Sequence, residues 1–360
     1  MVRSSFAIGL AWALGWPSLA HAQWTAIRLH SIDFATSNCK AADGDWQGGS
    51  AVVNGRSQPI LWHSSSAQWV NLVGSVSDSG FVFGMHGDQQ SGLLNGHASL
   101  WSGTAASRVD LHPSWAEGSF AYAVWGGEQA GYAYSGMGST GRAAVWHGSA
   151  ASYVDLHPSG AIESEAYAVA AGQQGGEVRW PGPNGTTVLH AALWSGSSAS
   201  FMDLNPTGAS GSGIGAMWPG QQVGAVAYPG QEGHAAIWSG TPASFIDLQP
   251  ANASYSTAHA TCGSAQAGLA GLPITGNSAV VWFGSASSMV NLAAFLPAGQ
   301  YFQSEARGVS FYNGQYYVAG WATRTSDHIT EAFVWVGVPA PSSIMLLCAA
   351  LPLASRRRRF

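Results

Sequence analysis

The stretch His234–Pro250, HAAIWSGTPASFIDLQP, recurs with small changes along a chain of 360 residues. We interpret it as a strand that ends at Trp238, a short polar turn, and a second strand that ends at Asp247. A period of roughly 45 residues is typical of a four-stranded propeller blade. The tryptophans that end the equivalent strands are Trp62, Trp101, Trp146, Trp194, Trp238, Trp282 and Trp335, and the aspartates that follow in four units are Asp110, Asp155, Asp203 and Asp247.

Each unit also carries two strands ahead of its tryptophan strand. In the third unit, Ala121–Val124 and Gln129–Tyr134 flank a Gly-Gly turn, and in the last unit an Asn-Gly pair at 313–314 separates two similar runs. An Asn-Gly pair between apolar runs is a strong hairpin signal. Outside the two ends, no segment keeps an apolar period of about 3.6 residues. The sequence therefore predicts an all-β protein whose units each contain four strands.

The two ends of the repeat array complete each other. The last unit stops at Trp335 without an Asp-Leu strand, whereas Trp24–His30 resembles such a strand with Arg28 in the place of the aspartate. Closing the ring with this segment gives every tryptophan strand an outer partner and removes exposed sheet edges. We therefore predict a seven-bladed β-propeller over residues 23–337, with the last blade closed by the N-terminal strand. The uneven spacings leave six or eight blades as alternatives.

Residues 1–22 have the organisation of a signal peptide. Arg3 precedes the apolar run Phe6–Gly15, and Ala20-His21-Ala22 has the small-residue pattern of a signal-peptidase site. This pattern predicts a helical leader outside the fold that signal peptidase removes. A buried N-terminal helix is the alternative.

Residues 338–360 combine three parts in a fixed order. A proline-rich start at Pro339 and Pro341 is followed by the apolar run Ile344–Ala354 and then by a basic cluster. The apolar run is short for a membrane span of about 20 residues. Basic residues at its end would keep that end in the cytoplasm, which favours transient anchoring in the membrane. The cluster consists of Arg356, Arg357, Arg358 and Arg359.

This C-terminal segment resembles the PEP-CTERM sorting signal of exopolysaccharide-producing Gram-negative bacteria. That signal reads Pro-Glu-Pro, a hydrophobic helix and an arginine cluster, whereas here Ala340 replaces the Glu and Pro352 interrupts the helix. The resemblance implies a helical tail outside the fold, processing by exosortase near Pro339, and a final location at the cell surface or in the extracellular matrix.

The repeat itself resembles the HAF repeats of extracellular bacterial proteins. Their unit carries His-Ala-Phe, a hydrophobic residue and Trp, with Asp-Leu-Gly somewhat later. Here His97, His190 and His234 open three units, and Glu331–Trp335 keeps the Phe. The similarity covers roughly residues 24–337 and implies a surface-exposed repeat protein with no known chemistry.

Charge argues against nucleic acid as a partner. The chain has 13 Lys+Arg and 18 Asp+Glu residues. Removal of both ends takes away five arginines and no acidic residue, so 8 basic and 18 acidic residues remain, a net charge of −10. Binding to phosphates requires a basic surface, which this composition does not provide.

Cysteine chemistry is also limited. Cys39 and Cys262 lie far apart in the repeat array, and we favour two separate buried thiols over a disulfide, which an extracellular setting would permit. Cys348 belongs to the C-terminal segment. No Cys-x-x-Cys pair occurs, so we expect neither a zinc site nor a redox motif, and no cofactor.

The repeated histidines and aspartates are unsuited to joint chemistry. Equivalent positions in different blades point apart, whereas metal ligands must lie within about 2–2.6 Å of one ion. We expect them to cap turns within their own blades, and we expect no metal site. Side chains can converge only near the axis, in the innermost strands and the loops before them. The loops between the second and third strands lie on the same face as those loops. The candidate binding residues assigned to the region are Trp46, Trp115, Glu117, Glu165, Glu305, Arg307 and, in a loop of the latter kind, Trp180.

These observations favour a secreted, non-enzymatic binding or structural module that meets exosortase and signal peptidase during export, with extracellular polysaccharide as a partner. A second hypothesis is a glycan-binding propeller that uses Trp46, Trp115 and Trp180 on one face. A third is a propeller glycoside hydrolase or lyase that uses Glu165 or Glu305, since glycosidases work with carboxylates. No catalytic residue is assigned, because no Gly-x-Ser-x-Gly elbow or sialidase-type box occurs.

Overall fold

The computed structural model of the chain describes residues 23–136 and 140–338. The predicted signal peptide over 1–22 and the predicted sorting residues from 339 onward lie outside the described residues. Within the described part, seven antiparallel sheets of four strands each follow one another. This confirms the all-β, seven-bladed propeller. No helix in these residues is long and apolar enough to span a membrane.

Each blade is numbered by its tryptophan, from Trp62 in blade 1 to Trp335 in blade 7. The inner strands of blades 1 to 7 are Ser37–Asp43, Gly80–His86, Gly118–Trp125, Glu163–Ala170, Gly211–Trp218, Ser256–Thr261 and Tyr301–Tyr312. The second strands are Trp46–Val53, Gln89–Leu94, Glu128–Tyr134, Gln173–Pro181, Gln221–Ala227, Gln266–Leu272 and Gln315–Arg324. The third strands are Arg56–His63, His97–Trp101, Arg142–Trp146, Thr187–Trp194, His234–Trp238, Gly276–Trp282 and Thr330–Gly337.

The outer strands are short, and the last of them comes from the N-terminus. They are Trp69–Asn71, Val109–Asp110, Val154–Asp155, Met202–Asp203, Ile246–Asp247, Val290–Asn291 and Trp24–Arg28. Single 3-10 turns lie in the connections, at Ala105–Ser107, Ala150–Ser152, Pro183–Gly185, Ser198–Ser200, Pro242–Ser244, Ala286–Ser288 and Leu292–Phe295.

The third strands carry most of the core. All seven of their tryptophans are fully buried between neighbouring blades. Each indole removes about 150–250 Å² from water, which is worth about 4–6 kcal/mol before the entropy of ordering the chain is subtracted. Strands covered by a blade on both faces read as continuous apolar runs rather than alternating ones, and Ala235–Trp238 is buried at all four positions.

The ring closes as the sequence predicted. Trp24–Arg28 pairs antiparallel with Thr330–Gly337, with Trp24 opposite Gly337 and Arg28 opposite Phe333. The N-terminal strand therefore supplies the outer strand of blade 7, which leaves no half-finished sheet edge at the seam.

A serine near the start of the inner strand joins each blade to the one before it. In blade 3, the Ser119 hydroxyl accepts a hydrogen bond from the Ala98 backbone N–H of blade 2 at 2.9 Å. We call this bond the serine clasp. It recurs at every blade junction except that of blades 1 and 2, where Pro59 has no N–H and Gly80 no hydroxyl. The six clasp serines are Ser37, Ser119, Ser164, Ser212, Ser256 and Ser304.

The repeated aspartates bond within their own blades. In blade 5, one carboxylate oxygen of Asp247 lies 2.9 Å from His234 Nδ1, and the other accepts from the Gln249 backbone N–H at 2.7 Å. The same double contact occurs at Asp110 and Asp203 with His97 and His190, and Asp155 pairs with Arg142. These carboxylates thus tie the outer strand to the third strand and cap the turn that follows.

Candidate functional site: the axial mouth

The seven inner strands surround a central channel that holds a cavity of about 190 Å³. We call the face that bears the loops entering the inner strands the upper face, and the opposite face, with the hairpins between inner and second strands, the lower face. The upper end of the channel is the axial mouth. It is built from the residues one and three places after the clasp position of each inner strand.

A β-bulge in every inner strand sets the geometry of this channel. In all seven blades the ladder skips the residue three places after the clasp position, as it skips Tyr167 between Ala166 and Ala168. A bulge frees a residue from strand pairing and re-aims its side chain. All seven skipped residues line the central cavity, and in blade order they are Lys40, Phe83, Tyr122, Tyr167, Gly215, His259 and Arg307.

Aromatic rings occupy the side of the mouth formed by blades 2 to 4. Phe83 lies 5.0 Å from Tyr122 between ring centroids, and Tyr122 lies 5.1 Å from Tyr167. Phe120 stacks on Tyr132 at 4.8 Å. We call Phe83, Phe120, Tyr122 and Tyr132 the aromatic arc. Its rings are only half-buried, and Phe83 and Tyr122 line the central cavity.

Cationic groups stand on the other side. Lys40, the only lysine of the chain, places its Nζ 4.8 Å from the ring centroid of Phe83, within the range of a cation–π contact. Burial, and then the nearby Arg307, lower the pKa of Lys40. In blade 7, Arg307 Nε lies 2.6 Å from a carboxylate oxygen of Glu305, and His259 Nε2 lies 2.8 Å from the same oxygen.

Glu305 is thereby held as a carboxylate. Burial alone would raise its pKa, but the contacts with His259 and Arg307 outweigh burial and lower it. Burial lowers the pKa of His259. The Glu305 carboxylate therefore places a negative charge beside His259 and Arg307. It is largely closed to solvent, because Glu305 is only 6% exposed.

A second carboxylate pair lies on blade 4. Glu165 and Glu177 face each other across the inner and second strands, and the Tyr167 hydroxyl donates to Glu165 and lies 3.2 Å from Glu177 Oε1. Burial raises the pKa of Glu165 to about 7, with the neighbouring Glu177 adding to the effect against the Tyr167 hydrogen bond. Burial also raises the pKa of Glu177. Glu165 therefore takes up its proton as pH falls through about 7.

Blade 5 leaves a gap in the mouth. Gly213 and Gly215 occupy the two positions at which every other blade has a side chain that extends beyond Cβ. The result is a hollow of about 420 Å³ between blades 4 and 6, bordered by Tyr167, Glu177 and His259. We call it the blade 5 hollow. It widens the axial mouth beside the Glu177 carboxyl.

The lower end of the channel is aromatic too. His86 stacks on Trp125 with ring centroids 3.8 Å apart, and Trp125 meets Trp218 edge-to-face at 5.1 Å. These rings narrow the channel where the inner strands end. The glutamates and basic side chains described above lie toward the upper end.

The structure brings together three of the residues assigned from sequence. Glu165, Glu305 and Arg307 all belong to the axial mouth. Trp46 does not, so the expectation that it shares a face with Trp115 and Trp180 is wrong. It begins the second strand of blade 1, directly after the hairpin turn on the lower face, and stacks on His63 at 4.7 Å.

The other two tryptophans lie on the upper side but serve packing at the blades' outer parts. Trp115 meets Tyr153 edge-to-face at 5.3 Å, and Trp180 packs on Phe201 at 5.6 Å. Both partners directly precede an outer strand. Glu117 is exposed in the loop entering blade 3, and its backbone N–H donates to Tyr134.

Sequence reasoning missed most of the mouth. Alignment of the inner strands on their clasp serines would have placed six of the missed residues at two recurring positions, whereas Tyr132 and Glu177 belong to second strands. The bulge that re-aims the later inner-strand position has no evident sequence signal. The missed residues are Lys40, Phe83, Phe120, Tyr122, Tyr132, Tyr167, Glu177 and His259.

Within the described residues, no group of three or more His, Cys, Asp or Glu side chains is arranged to hold a metal ion. Cys39 and Cys262 are free and buried rather than joined. The groups available to a ligand at the mouth are thus aromatic faces, carboxyls and two basic side chains.

No protein-family model matches the chain, and no curated protein is similar to it. Among solved structures, it resembles the propeller domain of the Trilobed protease from Pyrococcus furiosus, with a TM-score of 0.53 and 6% identity over 84% of this chain and 94% of that one. That domain has an open velcro topology, whereas here Trp24–Arg28 completes the last blade.

Two puromycin-hydrolysing proteins are similar as well. A puromycin hydrolase mutant gives a TM-score of 0.52 at 12% identity over 85% of this chain. A peptidase from Mycobacterium tuberculosis gives 0.50 at 13% over 86%. The chain spans only 56% of the length of either. Likeness at these identities shows the propeller fold alone.

Proposed function

We propose that this protein is a secreted, non-enzymatic propeller of the cell surface or extracellular matrix that binds polysaccharide at its axial mouth. The observation that carries the proposal is the aromatic arc. A pyranose ring has an apolar C–H face that stacks on an aromatic ring, while its hydroxyls need hydrogen-bonding partners. Concave sites lined by aromatic rings with a few polar groups are typical of ligand binding.

The polar groups around the arc complement it. Carboxyl oxygens of Glu165 and Glu177 can accept from sugar hydroxyls, and Lys40 and Arg307 can donate to them. The channel narrows at Trp125 and Trp218, so a chain end or a bent segment of a polymer suits the mouth better than a polymer threaded through it.

Binding without turnover is favoured over the hydrolase or lyase alternative. A glycosidase requires one carboxyl as acid and a second carboxylate that is free to act as base or nucleophile. Glu305 is instead occupied by His259 and Arg307 and nearly closed to solvent. Glu165 and Glu177 both contact the Tyr167 hydroxyl, which lies where a sugar between two catalytic carboxyls would have to lie. Incubation of the polysaccharide with the protein should leave its chain length unchanged in size-exclusion chromatography, and shortening would contradict this part of the proposal.

Export forms part of the proposal. We expect signal peptidase to cut after Ala20-His21-Ala22 and exosortase to act near Pro339, placing the propeller outside the cell. Replacement of Arg356–Arg359 by Gln should change the fraction of protein that reaches the surface, as judged by protease accessibility on whole cells. Protein found only in the cytoplasm would contradict it.

The binding test compares two aromatic replacements. Polysaccharide binding by the full chain is measured by affinity electrophoresis for Tyr122→Ala, in the arc, and for Trp46→Ala, a half-exposed tryptophan on the lower face. We expect Tyr122→Ala to weaken binding at least tenfold, a loss of about 1.4 kcal/mol, and Trp46→Ala to have no effect. The reverse pattern would place the ligand on the lower face.

A further inference from the structure

We propose that the blade 5 hollow is a subsite for an ammonium group, so that the polysaccharide bound at the axial mouth contains free amino sugars. This inference rests on the proposed function, because it names the ligand class of the same mouth. It is carried by a carboxyl pair without a cationic partner, by the space beside that pair, and by the aromatic face next to it.

The first observation is a missing countercharge. Other buried or half-buried glutamates of this chain are paired, as Glu331 is with Arg28, Glu305 with Arg307 and Glu163 with Arg179. Among the described residues, the side chains of Glu165 and Glu177 share only the Tyr167 hydroxyl and form no ion pair. Buried carboxylates are rarely left uncompensated, because desolvation of an unpaired charge is costly.

The second observation is the space. A Cβ added at Gly213 would lie 2.8 Å from Glu177 Oε2, so the absence of a side chain there is what opens this oxygen to the hollow. The hollow of about 420 Å³ is large enough for a ring substituent. Leu189 and Ile214 give it apolar walls, which suit the carbon frame that carries an amine.

The third observation is the surroundings of an incoming cation. The Tyr167 ring borders the hollow and stands beside Tyr122, and aromatic faces attract cations. His259 forms the opposite wall, and burial lowers its pKa, so it does not oppose an ammonium group by carrying a charge at neutral pH. Arg179 lies on the neighbouring strand but is engaged by Glu163 at 2.9 Å.

Binding would be coupled to proton release. Without ligand, Glu165 takes up a proton as pH falls through about 7. The other titratable groups around the pair are Tyr167, the Glu163–Arg179 pair, Tyr122, Tyr132 and, across the hollow, His259. An ammonium group can replace that proton as the countercharge, and the proton leaves to solvent. Protonation of both carboxyls at lower pH removes the attraction.

The experiment measures binding of short oligosaccharides to the full chain by calorimetry. The probes are tetramers of glucosamine, of N-acetylglucosamine, and of trimethylated glucosamine, whose charge does not depend on pH. We expect both cationic tetramers to bind at least tenfold more tightly than the acetylated one near pH 7. For the trimethylated probe, affinity should fall at least tenfold between about pH 7.5 and about pH 5. Equal affinity for all three tetramers overturns the inference.

Variants separate this subsite from the rest of the mouth. Glu177→Gln should remove the preference for cationic tetramers, because the amide still offers an oxygen to a sugar hydroxyl but carries no charge. Gly213→Val, which fills the hollow, should remove the same preference. Glu128→Gln is the matched control, since Glu128 follows the lower hairpin of blade 3. If Glu177→Gln keeps the preference, the inference fails; circular dichroism verifies that each variant is folded.

The failure of this inference and that of the proposed function are distinguishable. Uniform binding of the tetramers that is lost in Tyr122→Ala would leave a polysaccharide site without an ammonium subsite. Binding of other polysaccharides but of no tetramer would overturn the amino-sugar ligand alone. Polysaccharide binding that is indifferent to Tyr122→Ala would overturn the axial mouth as the site, and the inference with it.

Discussion

Arg28 and Glu331 form a two-pronged ion pair across the seam where the first strand joins the last blade. Arg28 Nε and Nη2 donate to the two carboxylate oxygens of Glu331 at 2.7 and 2.6 Å. Tyr301 donates to the same carboxylate at 2.7 Å. Glu331 is completely buried, whereas nearly half of the Arg28 side chain is exposed.

The polarity of this pair is the reverse of that in other blades. In blades 2 to 5 the third strand carries His or Arg and the outer strand carries Asp, as in His97 and Asp110. If an outer strand with Asp were placed on blade 7, its carboxylate would face the Glu331 carboxylate. If Trp24–Arg28 were placed on blade 2, Arg28 would face His97, another basic side chain. The reversal therefore favours the N-terminal strand over the repeated outer strands at blade 7.

The first prediction concerns this seam. Arg28→Asp should lower the free energy of unfolding by at least about 1–3 kcal/mol, because it leaves a buried carboxylate facing a like charge. The double variant Arg28→Asp with Glu331→His recreates the pairing of blades 2, 4 and 5 and should recover most of the loss. Urea unfolding measures both. Arg56→Asp, the same change on an exposed hairpin, is the control, and a double variant no better than Arg28→Asp would disprove the pairing argument.

The second prediction concerns acid sensitivity of the seam. Burial would raise the pKa of Glu331, but hydrogen bonds from Arg28 and Tyr301 outweigh burial and lower it. A carboxyl whose pKa is lowered by folding adds stability above its unfolded pKa of about 4.3 and loses it as pH falls through the folded pKa. Wild type should therefore lose more stability than Glu331→Gln between about pH 5 and about pH 3. Parallel pH profiles in thermal unfolding would argue against this.

The third prediction concerns the serine clasp. Ser164→Ala removes the acceptor of the Ala143 N–H at 2.9 Å and should cost about 1–3 kcal/mol, the typical penalty for an unsatisfied buried donor. Gly80→Ser should bring no gain, because Pro59 has no N–H to donate and a Cβ at Gly80 would lie 2.2 Å from the Leu93 carbonyl oxygen. Ser77→Ala, at an exposed serine, controls for the substitution itself. A stabilising Gly80→Ser would contradict the account.

The fourth prediction concerns the carboxyl pair of the mouth without ligand. The pKa of Glu165 is raised to about 7 by burial, so the folded state binds more protons than the unfolded one between about pH 4.3 and about pH 7. Its contribution to stability is present below that window and lost as pH rises through it. Glu165→Gln should therefore gain about 1–3 kcal/mol relative to wild type between about pH 5 and about pH 8. A difference that stays constant with pH would contradict the raised pKa.

The fifth prediction concerns the thiols. Cys39 and Cys262 are buried and free, and burial raises the pKa of both. Because the thiolate is the reactive form, a Cys348→Ser variant should show no rapid reaction with a thiol reagent in its native state and two reactive thiols in guanidinium. Rapid native labelling of either cysteine would show that its blade opens locally.

The architecture could be predicted because its signals are local and repeated. Each blade can be recognised in the sequence by the tryptophan that ends its third strand. Seven such strands need seven outer strands, and the seventh had to come from the segment around Arg28. The separation of Cys39 and Cys262 in the repeat array also predicted that they would be separate thiols. The ion-pair partner of Arg28 could not be predicted. Glu331 lies 303 residues away in the sequence, and the two residues meet only because the first strand joins the last blade.

The axial mouth was decided by tertiary structure. Glu165, Glu305 and Arg307 could be assigned to the axis because their strands lead there, but Tyr122 and Tyr167 face the channel only because a bulge shifts the register of each inner strand. Trp46 was wrongly assigned to the upper face. It lies at the lower face because the inner strand of blade 1 precedes it and ends there, before a tight hairpin turn.

The sequence alone therefore determined a closed ring of four-stranded blades, because a period of roughly 45 residues and a matching pair of chain ends can be read from consecutive residues. It favoured seven blades over six or eight, and the structure decided the count. The tertiary structure alone determined which side chains meet at the axis. Those side chains come from different blades, and their distances depend on strand register and on the rotation from one blade to the next. The missing side chain at Gly213 opens a space only because Glu177 of the neighbouring blade lies beside it. No sequence pattern indicates that these two residues are neighbours.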